Sequence, residues 1–211
     1  MKITKFGHSC LLIEEQGTRV LLDPGSFSSG QNDARDLNAI LITHEHGDHL
    51  DLTSLKAVRK KNPDAVVLTN TGVARQLEKE GIPFELLEEG KKRQCRTISL
   101  DAYGKDHAII YKTFPPVVNT GYFVGTRFFY PGDSFFVPPR PVAILALPAT
   151  APWAKISESI DYALRVRPGA CIPVHDGILK VPEFFHRMIG GVLQEKGIRF
   201  ISMTDNETLE L

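Results

Sequence analysis

Three histidines and two carboxylates fall within Thr43-His44-Glu45-His46-Gly47-Asp48-His49, directly after the apolar run Ala39-Ile40-Leu41-Ile42. Imidazole and carboxylate together hold zinc, manganese or iron. Both are costly to bury unpaired, so packing alone does not explain them at a strand end. In an extended segment alternate side chains share a face, which lets His44 and His46 grip one ion. Gly47 is expected to permit a tight turn, and Asp48 and His49 then reach a second position beside the first. Two ions about 3.5–4 Å apart can share one hydroxide and clamp an electrophile, and a bound ion brings the pKa of water toward neutrality. The expected chemistry is attack of that bridging hydroxide on a carbonyl carbon or a phosphorus. Asp48 is then both a ligand and the catalytic group that orients the hydroxide or carries a proton to the leaving group.

Four ligands in one loop do not fill two metal shells, so further donors must come from distant sequence. Three stand where an apolar strand meets a loop. His107 lies in Lys105-Asp106-His107-Ala108, at the entry to an expected strand Ala108–Tyr111. Asp133 follows Phe128-Phe129-Tyr130 through Pro131-Gly132, and His175 follows Ala170–Val174 directly. Taken alone, each has an ordinary structural explanation. Asp23, at the end of Leu21-Leu22-Asp23-Pro24, suits a carboxylate that orients a ligand imidazole, and it suits a turn cap equally. His8 suits a contact to substrate, a place behind the ligands, or a plain hydrogen-bonded strand end. His186, on an expected helix, reads as structural or exposed.

The motif H-x-H-x-D-H after an apolar strand resembles the signature of the metallo-β-lactamase-fold hydrolases. The later order His107, Asp133, His175 matches that family's ligand order, and the resemblance runs from the opening strands to His175. It implies a four-layer αββα sandwich, an α+β fold of two mixed sheets flanked by helices. It also implies that His44, His46 and His107 hold one metal, that Asp48, His49 and His175 hold a second, and that Asp133 bridges them. Gly7-His8-Ser9-Cys10, with Leu21-Leu22-Asp23-Pro24 further on, resembles one branch of the superfamily. That branch contains ascorbate-6-phosphate lactonase-like and N-acyl-phosphatidylethanolamine phospholipase D-like hydrolases. Diiron flavoprotein-type relatives carry Glu where this chain has His46, which disfavours redox chemistry.

The elements that must position these residues are legible from periodicity. Strands are expected at 2–6, 10–15, 18–22, 39–42, 66–68, 84–88, 94–102 and 107–112, with a Gly-, Ser- and Asp-rich loop at 24–36. Helices are expected at 52–61, capped by Asp51 and stopped by Pro63, and at 71–80. Further strands are expected at 121–124, 127–130, 142–147, 170–174, 198–203 and 207–211, with helices at 156–166 and 182–195. Without the resemblance, this pattern gives α/β or α+β in one domain over 1–211 and no more.

The chain has 211 residues, 25 basic and 25 acidic, and no formal net charge. That argues against a protein built to grip nucleic acid through its phosphates. Arg59-Lys60-Lys61 and Lys91-Lys92-Arg93 read as solvated element ends. No run approaches the ~20 apolar residues of a membrane span, and no secretory leader is read at Met1-Lys2-Ile3-Thr4, so a cytoplasmic protein is expected. Cys10, Cys95 and Cys171 lack ligand or disulfide spacing and read as small buried hydrophobes. The expected function is a metal-dependent hydrolase with two divalent ions, zinc before manganese or iron. It would cleave a small-molecule ester, lactone or phosphodiester, with homo-oligomerisation left open. Two other readings stand beside it, a metal-binding interaction protein with little turnover and a phosphodiesterase or nuclease on small nucleotides. Phe27, Phe135, Phe136 and Trp153, on Pro-stiffened loops, are the expected pocket walls.

Overall fold

Alternation builds the first strands. Lys2–Gly7 (β1) buries every second residue, and Cys10–Glu15 (β2) and Thr18–Leu22 (β3) follow it, each antiparallel to the one before. The computed structural model describes all of residues 1–211. Short apolar runs then extend the sheet in parallel, as strands covered on both faces do. These are Ala39–Leu41 (β4) and Val66–Thr69 (β5), with Glu85–Leu86 (β6) at the edge. A second sheet contains Lys92–Cys95 (β7), Ile98–Tyr103 (β8), Gly121–Val124 (β9) and Phe128–Tyr130 (β10), all antiparallel neighbours. Ile144–Pro148 (β11), Ala170–Val174 (β12) and Arg199–Phe200 (β13) continue it in parallel. Glu207–Glu210 (β14) returns to the first sheet and pairs with β1. Each sheet is mixed and seven-stranded.

Four helices cover the outer faces. Leu52–Lys61 (α1) starts where the Asp51 carboxylate accepts from the Thr53 and Ser54 amides, and Thr71–Lys79 (α2) where Asn70 does the same for Gly72 and Val73. Leu55 and Val58 of α1 and Val73 and Leu77 of α2 pack on the first sheet. Ile156–Val166 (α3) and Pro182–Glu195 (α4) bring Tyr162, Ala163, Ile189 and Leu193 to the second. Between the sheets lies a third apolar layer, with Ile3, Leu11, Ile13 and Leu22 facing Tyr122, Val124, Phe128 and Ile172. Helix, sheet, sheet, helix is therefore the order of layers, the αββα arrangement of an α+β fold.

The expected helices appear with their expected bounds, apart from one residue at the end of α2. Some strands differ. Residues 94–102 split into the β7–β8 hairpin at Arg96, which adopts a positive φ of 48°. Residues 84–88 and 198–203 shrink to two-residue strands. Residues 107–112, expected as a strand, form none. Asp106 makes an isolated bridge to Val118, and the intervening loop leaves Ile109 80% exposed. The run Ala108-Ile109-Ile110-Tyr111 is apolar like a strand, but Pro115 and Pro116 follow it and supply no amide donors to a ladder. The three cysteines are free and buried.

Candidate metal centre

The polar residues singled out from the sequence collect on one rim, where the parallel strands of both sheets end. Asp23 follows β3, Thr43 to His49 follow β4, Asp133 follows β10 and His175 follows β12. His8 comes from the corner between β1 and β2, and His107 from the loop after β8. Within each of three groups the donor atoms lie within 4.8 Å of one another: His44, His46 and His107; His8, Asp48, His49 and His175; and His44, His49 and Asp133. Asp133 thus stands beside members of both other groups. Its carboxylate is 3.1 Å from His49 Nε2, 3.3 Å from His107 Nε2 and 3.0 Å from His175 Nε2.

The outer nitrogens of these rings are engaged, which orients the inner ones. His49 Nδ1 donates to Asp23 Oδ2 at 2.6 Å, and His175 Nδ1 donates to the Thr150 carbonyl at 2.8 Å. His107 Nδ1 donates to the Ala108 carbonyl. Each ring therefore turns an Nε2 lone pair toward the centre. The Nε2 atoms of His107 and His175 and Oδ1 of Asp133 are buried with no hydrogen-bond partner. Buried polar atoms are rarely left so, and one such atom in each of the three donor groups fits bound cations. Asp23 also accepts from the Thr43 amide and hydroxyl at 2.8 and 2.6 Å, and Thr43 Oγ1 lies 3.1 Å from His44 Nδ1. One carboxylate thereby orients two imidazoles, His49 directly and His44 through Thr43.

His8 belongs to the same cluster but differs in its ring. Its Nδ1 accepts from the Gly177 amide at 3.1 Å, which leaves Nε2 carrying the proton toward Asp48 Oδ2, 3.2 Å away. A protonated Nε2 is a donor and not a metal ligand, so His8 holds Asp48 in place. Its carbonyl accepts from the His175 amide at 3.0 Å. His186 is buried and lies outside the centre. It donates to Asp176 at 2.9 Å, and Asp176 is also paired with buried Lys5 at 2.6 Å. This pair anchors the chain immediately after His175.

Burial disfavours charge on His8, His44, His46, His49 and His175, and the carboxylates oppose it unequally. Burial holds His44 well below the ordinary imidazole value, with the neighbouring His49 adding to the effect. For His49, the Asp133 and Asp23 carboxylates outweigh burial and raise the pKa well above that value. Burial also pulls His175 down, but the Asp133 and Asp48 carboxylates beside it win and raise it to about 9. A proton and a metal ion compete for the same lone pair, so metal binding at neutral pH releases protons. Calorimetric titration in buffers of different ionisation enthalpy is expected to show net release, shrinking as pH rises through about 9. Because its folded pKa is raised, His175 contributes stability to the metal-free protein fully below 6.5, and that contribution is lost as pH rises through about 9.

Some of what builds the centre left no mark on the motif. Gly47 has no positive φ and open space where a Cβ would sit, so the turn does not depend on it. The constrained glycine is Gly25, whose Cβ would lie 1.9 Å from the Asp48 carbonyl oxygen. Asn119 Oδ1 accepts from the Asp133 amide at 2.9 Å, and Trp153 Nε1 donates to Asp133 Oδ2 at 2.9 Å. Of the expected pocket walls, Phe27 and Trp153 line the small cavity that contains Asp48, Asp133 and His175. Phe135, packed against Trp153 and Tyr162, and Phe136, packed against Tyr103, line a separate cavity beside His107 and not this one.

Similarity to known proteins agrees with this fold. The family model described as the Beta-lactamase superfamily domain matches residues 2–175. Protein Rv0786c of Mycobacterium tuberculosis is 42% identical over 184 residues, 85% of each chain. A UPF0173 metal-dependent hydrolase of Flavobacterium johnsoniae is 35% identical over 96 residues, 43% of this chain and 41% of that one. Among solved structures, the metallo hydrolase Igni18 of Ignicoccus hospitalis superposes with a TM-score of 0.77 at 19% identity, covering 100% of this chain and 98% of that one. The chain belongs to the β-lactamase superfamily and has the fold of its metal-dependent hydrolases.

Proposed function

We propose that this chain, a metal-dependent hydrolase, works as a single unit with two divalent ions, zinc before manganese or iron, on a small-molecule substrate. His44, His46 and His107 would hold one ion, Asp48, His49 and His175 the other, and Asp133 would contact both. One observation carries this reading. The unpartnered Nε2 atoms of His107 and His175 lie 3.3 and 3.0 Å from the Asp133 carboxylate, whose Oδ1 is itself unpartnered, while the rings' outer nitrogens already donate elsewhere. When bound, two such ions supply a hydroxide nucleophile at neutral pH and polarise the electrophile.

The chain's own residues supply the rest. Asp48 lies within reach of His8 at 3.2 Å and of His175 at 3.4 Å, and its side chain is 20% exposed. Of the two carboxylates in the donor groups it is the more exposed, Asp133 being 4% exposed, which suits orienting a nucleophile and passing a proton to the leaving group. His8 keeps that carboxylate aimed, and Trp153 fixes Asp133 while covering it from water. No helix is long and apolar enough to cross a membrane. Three free, buried cysteines suit a reducing compartment, and the proposed place of action is the cytoplasm.

The nucleotide reading has less support. Lys92 is paired with Asp101 at 3.5 Å and Arg93 with Glu85 at 2.9 Å, and neither lines the cavities at the donors. A binding protein without turnover would have no need of the full donor set. Removal of metal by chelation is expected to abolish hydrolysis of a chromogenic ester or phosphodiester, and reloading with zinc or manganese to restore it. Turnover that survives complete chelation would overturn the proposal.

A further inference from the structure

The loop 107–117 presents an apolar wall beside the donors. Ile109, Tyr111 and Phe114 are 80%, 55% and 58% exposed. Together with Ile110 they line a cavity of about 650 Å³ that also contains His46 and His107, a size suited to a small ligand. A second cavity, holding Asp48, Asp133 and His175, is walled by Phe27, Trp153 and Ile178 and shares His46 and Ile110 with the first. The two therefore adjoin at His46 and Ile110, one at the donors and one outward along the loop. Apart from the donor residues, the charged groups lining them are Asp106 and Lys112, of opposite sign. Such a wall offers a highly charged substrate little and an aliphatic chain a great deal.

We propose that the substrate is an ester or lactone whose aliphatic acyl chain lies against Ile109, Ile110, Tyr111 and Phe114, with the scissile carbonyl at the donors. The proposal rests on the hydrolase reading above and names its substrate class. Hydrolysis breaks the acyl carbon–oxygen bond, adds the oxygen of water to that carbon and gives a proton of water to the leaving oxygen. The product is a carboxylate with the same chain, and straight-chain carboxylates are accordingly direct probes of the site.

The test is calorimetric titration of the zinc-loaded protein with butanoate, hexanoate, octanoate and decanoate. Affinity is expected to rise about fourfold per methylene. The double variant I109S/F114S is expected to flatten that rise, and because both side chains are exposed it should keep the parent's melting temperature. An affinity independent of chain length overturns the proposal. So does an equal rise in the variant, which would put the chain elsewhere, and so does a change in oligomeric state of the variant with a flat series, which would make the loop a contact between copies. The same series on metal-free protein separates the two readings. A retained rise with weaker overall affinity supports both. A retained rise with no loss of affinity leaves the acyl wall standing and removes the metal reading.

Discussion

Asp133→Ala is expected to lower turnover by about a thousandfold or more, the several kcal/mol that paired ions contribute to a hydrolytic transition state. The reason is position. Asp133 is the one carboxylate close to His49, His107 and His175 at once, at 3.1, 3.3 and 3.0 Å. Burial alone would raise its pKa, but His49 and the other imidazoles hold the carboxyl well below its usual range, so it is an anion among nitrogen donors. Without it nothing of negative charge stands between the two groups of histidines, and metal content is expected to fall with activity. Elemental analysis and a thermal melt beside the kinetics distinguish loss of the site from loss of the fold. A variant within tenfold of the parent would remove Asp133 from its assigned place.

Asp48→Asn is expected to cost about 10²–10⁴-fold in turnover, the range for loss of a positioned acid–base group. The substitution keeps shape and one oxygen, so much of the metal is retained, and the new amide oxygen still accepts from His8. What it loses is the proton-carrying capacity. Burial raises the pKa of Asp48, but the neighbouring His175 and the hydrogen bond from His8 outweigh it and lower it, so the carboxylate is ionised at neutral pH. Unchanged turnover with both metals bound would sink the role assigned to Asp48 while leaving the centre intact.

Much of this centre is legible in the sequence because its parts sit at strand ends. The donors Asp133 and His175 follow β10 and β12, and an apolar run followed by a ligand type is a local signal. Asp23 is legible for the same reason, though the sequence does not choose between a turn cap and an imidazole partner. Its φ of 45° and its bonds to His49 and Thr43 make it the latter. His107 is legible for the wrong reason. Its neighbours read as a strand, and the segment is a loop whose apolar residues face the cleft. Hydropathy cannot tell a buried strand from a wall that waits for an apolar ligand. Gly25 and Asn119 are illegible as parts of the centre, and Trp153 is legible as a pocket wall but not as the donor to Asp133, because each acts through a contact distant in sequence. Gly25 matters only because the Asp48 carbonyl passes where its side chain would be.

Two groups of donors, joined by Asp133, are proposed to hold two ions. Anomalous diffraction from crystals grown with zinc, recorded on both sides of the zinc absorption edge, tests this most directly. Two peaks are expected, one beside His44, His46 and His107 and one beside Asp48, His49 and His175, each in contact with Asp133. A single peak among His44, His49 and Asp133, or none at the rim, would contradict it.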